Sequence, residues 1–203
     1  MTDLASLLGS IDIYLFDQIL RGRVPAGSAV FDAGCGPGRN LVYFLREGYD
    51  VRAVDPDAGA VRGVQALARA LAPRLEESNF RAEPVEANSF PDSSADFVIS
   101  SAVLHFARDA AHFRAMLDGT WRLVRSGGIL FCRLASTIGM EGRFAPLGNG
   151  RFRVPDGSER YLVDEETLMA LAGELSGELL DPLKTTVVQA RRCMTTWVMK
   201  RAL

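Results

Sequence analysis

The chain has 203 residues, which suits one domain with a full core, and its 48% hydrophobic and 24% charged content argues against disorder. Basic and acidic side chains number 23 and 25, a net of −2, so no global field draws the protein to nucleic acid. No apolar run approaches the roughly 18 residues that span a bilayer, and the start Met-Thr-Asp-Leu-Ala lacks the pattern of a signal peptide. Cys35, Cys132 and Cys193 are too scattered for a disulfide framework or a metal site, so residence in a reducing cytoplasm is expected.

Residues 11–23 carry Ile11, Tyr14, Leu15, Gln18 and Ile19 at helical spacing, with Pro25 just beyond, and predict a first helix. Ala29-Val30-Phe31 predicts a buried strand running into a glycine loop, Asp32 to Gly38, and Leu41, Phe44 and Leu45 mark a helix ending at Gly48. Val51 to Val54 is a second strand closed by Asp55-Pro56. Val61, Val64, Ala68 and Leu71 then share a helix face. A third strand is expected from Phe80 to Val85 and a fourth at Phe97-Val98-Ile99. A helix carries Phe113, Met116, Leu117, Leu123 and Val124, and Gly127-Gly128 introduces a fifth strand, Ile129 to Cys132. This alternation predicts an α/β protein with a doubly wound, mostly parallel sheet and helices on both faces.

The pattern breaks at residues 136–161, rich in Gly, Pro and Arg and without a period, which read as a long connection of the kind that covers a site. A last helix starts near Asp164. Thr185 to Val188 and Thr195 to Met199 are separated by too few residues for a parallel crossover, so the sheet is expected to close in an antiparallel hairpin, giving seven strands in one domain, 1–203.

The strongest motif is Asp32-Ala33-Gly34-Cys35-Gly36-Pro37-Gly38-Arg39-Asn40, a strand feeding a glycine turn that feeds a helix. Glycines let backbone approach a ligand, and free N–H groups at the helix start favour an anionic group. The dinucleotide fingerprint is G-x-G-x-x-G. Here the spacing is G-x-G-x-G, with Arg39 where the third dinucleotide glycine would fall. Asp32 would repel a pyrophosphate and suits a cationic amine, so the loop fits an amino-acid-bearing nucleoside better than NAD. Asp55, about twenty residues on, stands where a carboxylate accepts ribose hydroxyls. Alone, Asp32 and Asp55 could equally be turn or helix caps.

The loop, Asp55 and the run Phe90-Pro91-Asp92-Ser93-Ser94-Ala95-Asp96-Phe97-Val98 together resemble the class I S-adenosylmethionine-dependent methyltransferases, from about Val30 to Arg133. Gly38-Arg39-Asn40 with Gly48-Tyr49-Asp50-Val51 is similar to the tellurite-resistance-type branch. The resemblance implies a Rossmann-like fold with a reversed last strand. It implies that Asp32, Gly34 and Gly36 hold the methionine part of the cofactor, with Cys35 and Asn40 in the same loop, and that Asp55 and Pro56 lie at the ribose. Glu86-Ala87-Asn88 would meet adenine, and Ser101 the methionine end. The product would be S-adenosylhomocysteine.

Methyl transfer from an activated sulfonium needs alignment and exclusion of water, and a base only when the acceptor arrives protonated. His105, after the fourth strand, is the candidate base; the alternative is a histidine that caps the loop or packs on the lid. His112, among polar helical neighbours, reads as a surface residue. Arg133 and Arg160, with other arginines of 136–161, could bind a carboxylate or phosphate of the acceptor, and Tyr14 could close over the site. No amino-methyltransferase Asn/Asp-Pro-Pro-aromatic motif follows the fourth strand, so a small-molecule acceptor is expected. The rival readings are a nicotinamide oxidoreductase, disfavoured by the glycine spacing, a non-catalytic S-adenosylmethionine-binding module, and an RNA methyltransferase using Arg191, Arg192, Lys200 and Arg201.

Overall fold

A computed structural model describes residues 7–203. The main sheet is built from β1 (Ala29–Ala33), β2 (Asp50–Val54), β3 (Phe80–Arg81), β4 (Ala95–Ser101) and β5 (Val124–Ala135), all parallel to one another. The chain then forms a separate small sheet, β6 (Ala145–Gly148), β7 (Arg151–Arg153) and β8 (Glu159–Tyr161). It returns through β9 (Gly177–Leu179), β10 (Lys184–Val188) and β11 (Arg192–Arg201). The order across the main sheet is β10-β11-β5-β4-β1-β2-β3, with β9 beside the far end of β11. The last strands run antiparallel, as the short connection between them requires.

The central strands are buried on both sides, so successive residues serve opposite cores. Phe97 and Ile99 pack with α1 (Ile13–Leu20), α2 (Val42–Arg46) and α3 (Ala58–Leu71) on one face. Val98 packs with α4 (Ala110–Trp121) and α5 (Glu165–Glu174) on the other. The same alternation puts Trp197 on the second face and Val198 on the first. Aspartates cap four of these helices: Asp12, Asp57, Asp109 and Asp164 each accept a backbone N–H of the first turn, at 2.7–3.0 Å.

The structure departs from the sequence expectations in identifiable ways. The helix expected over residues 11–23 is confined to Ile13–Leu20. β3 has two residues instead of Phe80 to Val85, because Pro84 lacks an N–H and residues 85–87 turn into a 3₁₀ segment. Leu123 and Val124 lie beyond α4, and β5 begins at Val124. Its glycine pair therefore sits within the strand, where the pairing with β4 shifts register between Ala95 and Phe97. β9 adds an eighth strand to the expected seven. Residues 136–161, expected without regular structure, fold into the β6–β8 sheet. That sheet is anchored: Tyr161 stacks on Phe113 of α4 at 4.9 Å, and Thr137 N–H donates to Val163 O at 2.9 Å.

Candidate active site

The connections after β1 and β4 diverge where the strand order reverses, and a cleft of about 500 Å³ opens there. The glycine loop forms its floor. Gly34 and Cys35 donate their N–H groups to Val54 O, at 2.9 and 3.0 Å, which fastens the loop to the end of β2. Gly36 N–H donates to Asp55 Oδ2 at 2.8 Å, and Asp55 Oδ1 accepts the N–H of Asp57 at 2.9 Å. Two glycines are needed here for different reasons. A Cβ on Gly34 would come within 2.4 Å of the Val103 side chain. A Cβ on Gly36 would meet no atom within 4 Å, at φ +50°, on a residue that lines the cleft.

Of the residues singled out from sequence, Gly34, Cys35, Gly36 and Asn40 line the cleft, as do Asp55, Pro56, Glu86 and Ser101. Asp32 and Ala87 do not. Asp32 lies beneath the loop, 1% exposed, with Oδ2 lacking any partner among the described residues. Burial pushes its pKa up to about 7, with Arg39 opposing the rise and Asp55 adding to it. Ala87 is replaced on the wall by Pro84 and Val85. Burial also raises the Cys35 thiol, with the charges of Asp32 and Asp55 reinforcing the shift, so Cys35 is a packing residue rather than a nucleophile.

His112 is not the surface residue its neighbours imply. It lines the cleft, its Nδ1 accepts Arg108 N–H at 3.2 Å, and its Nε2 therefore carries the proton and meets Glu86 Oε1 at 3.0 Å. Glu86 is thereby fixed at the rim of the cleft.

A second chamber of about 350 Å³ adjoins the cleft and shares only Ala102 and Phe106 with it. His105, Arg133 and Arg160 line it, together with Phe144, Val154 and Asp156 from the small-sheet region. Tyr14 lines neither cavity. Its ring lies 4.9 Å from the Arg133 guanidinium, and its hydroxyl bonds Thr186.

His105 does not fit the role of base. Its Nδ1 accepts Ala135 N–H at 3.0 Å, which puts the ring proton on Nε2 and leaves no nitrogen free to take another. Burial, aided by Arg160, holds its pKa down at about 4, so the ring is neutral at pH 7. With no partner for Nε2 among the described residues, His105 presents a neutral donor to the chamber.

Sequence reasoning missed Asp12, which ties the site together. Its carboxylate caps α1, receives Arg133 Nη1 at 2.8 Å and Ser101 Oγ at 3.3 Å, and lies 3.6 Å from Arg39 Nη2. Its own N–H donates to Asn40 Oδ1 at 3.0 Å. An aspartate before a helix carries no sequence signal beyond that of a cap. The basic patch envisaged for RNA is not continuous: Arg192 and Arg201 stand at opposite ends of β11, about 30 Å apart at strand rise.

A family model described as a methyltransferase domain matches residues 31–132, half of the chain. No curated protein matches the chain. Among solved structures, the chain is similar to a SAM-dependent methyltransferase from Methanosarcina mazei, at 21% identity over 91% of this chain and 97% of that one, TM-score 0.71. It is similar to the 1,6-didemethyltoxoflavin-N1-methyltransferase of Burkholderia thailandensis, solved with 1,6-didemethyltoxoflavin and S-adenosylhomocysteine bound, at 19% identity over 99% and 82%, TM-score 0.72. TehB from Haemophilus influenzae matches at 17% identity over 95% and 63%, TM-score 0.64. At these identities the structural likeness is one of fold.

Proposed function

The chain belongs to the methyltransferase domain family, and from that premise we propose that it moves the methyl group of S-adenosylmethionine to a small-molecule acceptor, the cofactor lying in the cleft and the acceptor in the chamber. The observation that carries this reading is the buried Asp32 Oδ2, without a partner among the described residues, under a loop whose Gly36 opens onto free space. A cationic amine reaching through the loop would satisfy that oxygen. Asp55, half-buried at the cleft edge, can accept hydroxyl hydrogen bonds, and Val85 and Met116 offer an apolar wall for a base. When bound, S-adenosylmethionine supplies an already activated methyl group.

The protein's contribution is then alignment and dryness. Ala102 and Phe106 separate and connect the two cavities, so a group held in the chamber faces the cleft across them. Among the described residues no helix is long and apolar enough to cross a membrane. All three cysteines are buried and unpaired, which supports a reducing cytoplasmic setting.

Calorimetric titration with S-adenosylmethionine, beside NAD, tests the reading, and labelled-cofactor transfer to a metabolite extract tests catalysis. Asp55→Ala should weaken S-adenosylmethionine binding at least tenfold, since charge-assisted hydrogen bonds contribute about 1.5–3 kcal/mol. The loss has two sources, the ribose contacts and the freed Gly36 N–H. Unchanged affinity would misplace the ribose.

Asp32 makes binding depend on pH. Its raised folded pKa means that the stability it contributes is full below pH ~4 and is lost as pH rises through about 7. A bound ammonium favours the carboxylate, so binding releases a proton below about pH 7. S-adenosylmethionine affinity should therefore rise between pH 5 and 7, with a buffer-dependent binding enthalpy at pH 6 that Asp32→Asn removes. A flat profile in this range would show that no cation meets Asp32.

We further read residues 136–161 as a substrate cover within a single domain. Its anchored sheet, β6–β8, forms a fixed wall, and only the mostly exposed stretch 141–144 ahead of it closes. Hydrogen exchange should find β7 and β8 protected in the free chain and 141–144 protected only with both ligands. Equal protection of 141–144 in the free chain counts against closure.

A further inference from the structure

The polar groups that face the chamber are nearly all donors. Arg160 stacks its guanidinium 4.8 Å from the Phe106 centroid and spends one N–H on Glu159 O at 2.7 Å, and no carboxylate lies within ion-pair distance of it among the described residues. Arg192 lines the same chamber, also without an ion pair among the described residues. Arg133 is already neutralised by Asp12 at 2.8 Å. His105, 4% exposed, offers Nε2–H, because its Nδ1 is taken by Ala135 N–H. The one carboxylate among the described lining residues, Asp156, accepts the N–H and hydroxyl of Ser158 at Oδ1, 2.9 and 2.6 Å, and its charge acts on both Arg160 and Arg192. It offsets one of the two free guanidinium charges at most, so the chamber stays positive. The rest of the lining is apolar, Phe144, Val154 and Leu162 among it, apart from the hydroxyls of Ser136, Ser158 and Thr186, which bond Thr195, Asp156 and Tyr14, and the Cys193 thiol, which donates to Ser136 O.

A donor-lined, positive and otherwise apolar chamber is satisfied by one kind of guest: a hydrogen-bond acceptor with negative charge and an apolar body. A neutral guest would leave the half-buried Arg160 guanidinium partly desolvated and unpaired, while the exposed Arg192 adds positive charge from solvent. Resting on the reading that this chamber holds the methyl acceptor, we propose that the acceptor is a small organic acid. Its carboxylate is bound by Arg160 and Arg192 with the Nε2–H of His105, and its apolar body lies against Phe144, Val154 and Leu162. Arg160 sets the position of the carboxylate beside Phe106, one of the two residues common to both cavities.

The test uses the intact chain saturated with S-adenosylhomocysteine and titrated with a matched probe pair, benzoate and benzamide, which share a shape and differ in charge. Benzoate should bind saturably and benzamide at least tenfold more weakly. Arg160→Gln and Arg192→Gln should each weaken benzoate about tenfold, the effect of one lost charge-assisted bond, with S-adenosylhomocysteine affinity unchanged. Benzamide binding as tight as benzoate, no saturable benzoate binding, or benzoate affinity unchanged in both variants would overturn the proposal. Failure of the parent chain to bind S-adenosylhomocysteine would instead sink the methyl-transfer reading, and the same probe comparison repeated without it still decides the character of the chamber.

Discussion

Gly36→Val should abolish S-adenosylmethionine binding while the chain stays folded. Position 36 has φ +50°, a region that β-branched residues avoid at a cost of about 1–2 kcal/mol. An added Cβ meets no protein atom within 4 Å, so the fold has room for it. The space it enters is the cleft itself, at the point where backbone and cofactor should touch. Strain and lost space together should reduce affinity by more than about 100-fold, equivalent to roughly 2.7 kcal/mol. Calorimetry reads the affinity, and circular dichroism with a thermal melt reads the fold. Binding within threefold of the parent would reduce the loop to a simple turn. Gly34→Val is the informative contrast, because its Cβ would strike Val103 and should damage folding as well as binding.

The second large effect is expected at Asp12. Asp12→Asn keeps the cap on α1, because Oδ1 remains, but removes the charge that Arg133 meets in a site where Asp12 is 1% exposed. Removing one partner of a buried pair costs about 3–5 kcal/mol. For a domain of this size each kcal/mol shifts the melting midpoint by about 2–4 °C. The variant should therefore melt roughly 6–20 °C lower. Turnover should fall too, since Arg39, Ser101 and Arg133 all lose their common anchor. The double variant Asp12→Asn, Arg133→Gln should regain part of the stability without regaining turnover. A midpoint within 2 °C of the parent would show that water already solvates Arg133.

The parts of the site legible in sequence are the local ones. The glycine loop and Asp55 declare themselves because spacing, a preceding strand and a following helix are all within one stretch of chain. The parallel strands are legible because burial on both faces leaves continuous apolar runs at Val30 and Val98, and β2 keeps Val51, Ala53 and Val54 buried. β6, whose residues are all exposed, has no such run, and β7 and β8 are only half-buried and three residues long, so nothing in their pattern marks a strand. The glycine pair 127–128 reads as a boundary but marks an irregularity inside β5. Asp12 is out of reach for another reason: its partners Asn40, Ser101 and Arg133 lie 28, 89 and 121 residues away. The histidines illustrate the same limit. Whether His105 can act as a base is decided by one backbone N–H thirty residues on, at Ala135, and the place of His112 by its pairing with Glu86.

The narrow seam between the two cavities, only Ala102 and Phe106, bears on how such a chain can change over time. The cleft draws on residues 34–116, and apart from that seam and His105 the chamber is built from residue 133 onward. Substitutions in the two sets have few shared neighbours, so their free-energy effects should add with little coupling. A lineage could then exchange one acceptor for another by rewriting positions 133–194 while its grip on the methyl donor stays constant. Phe106 is the position where that independence fails, because a change there is felt on both sides at once.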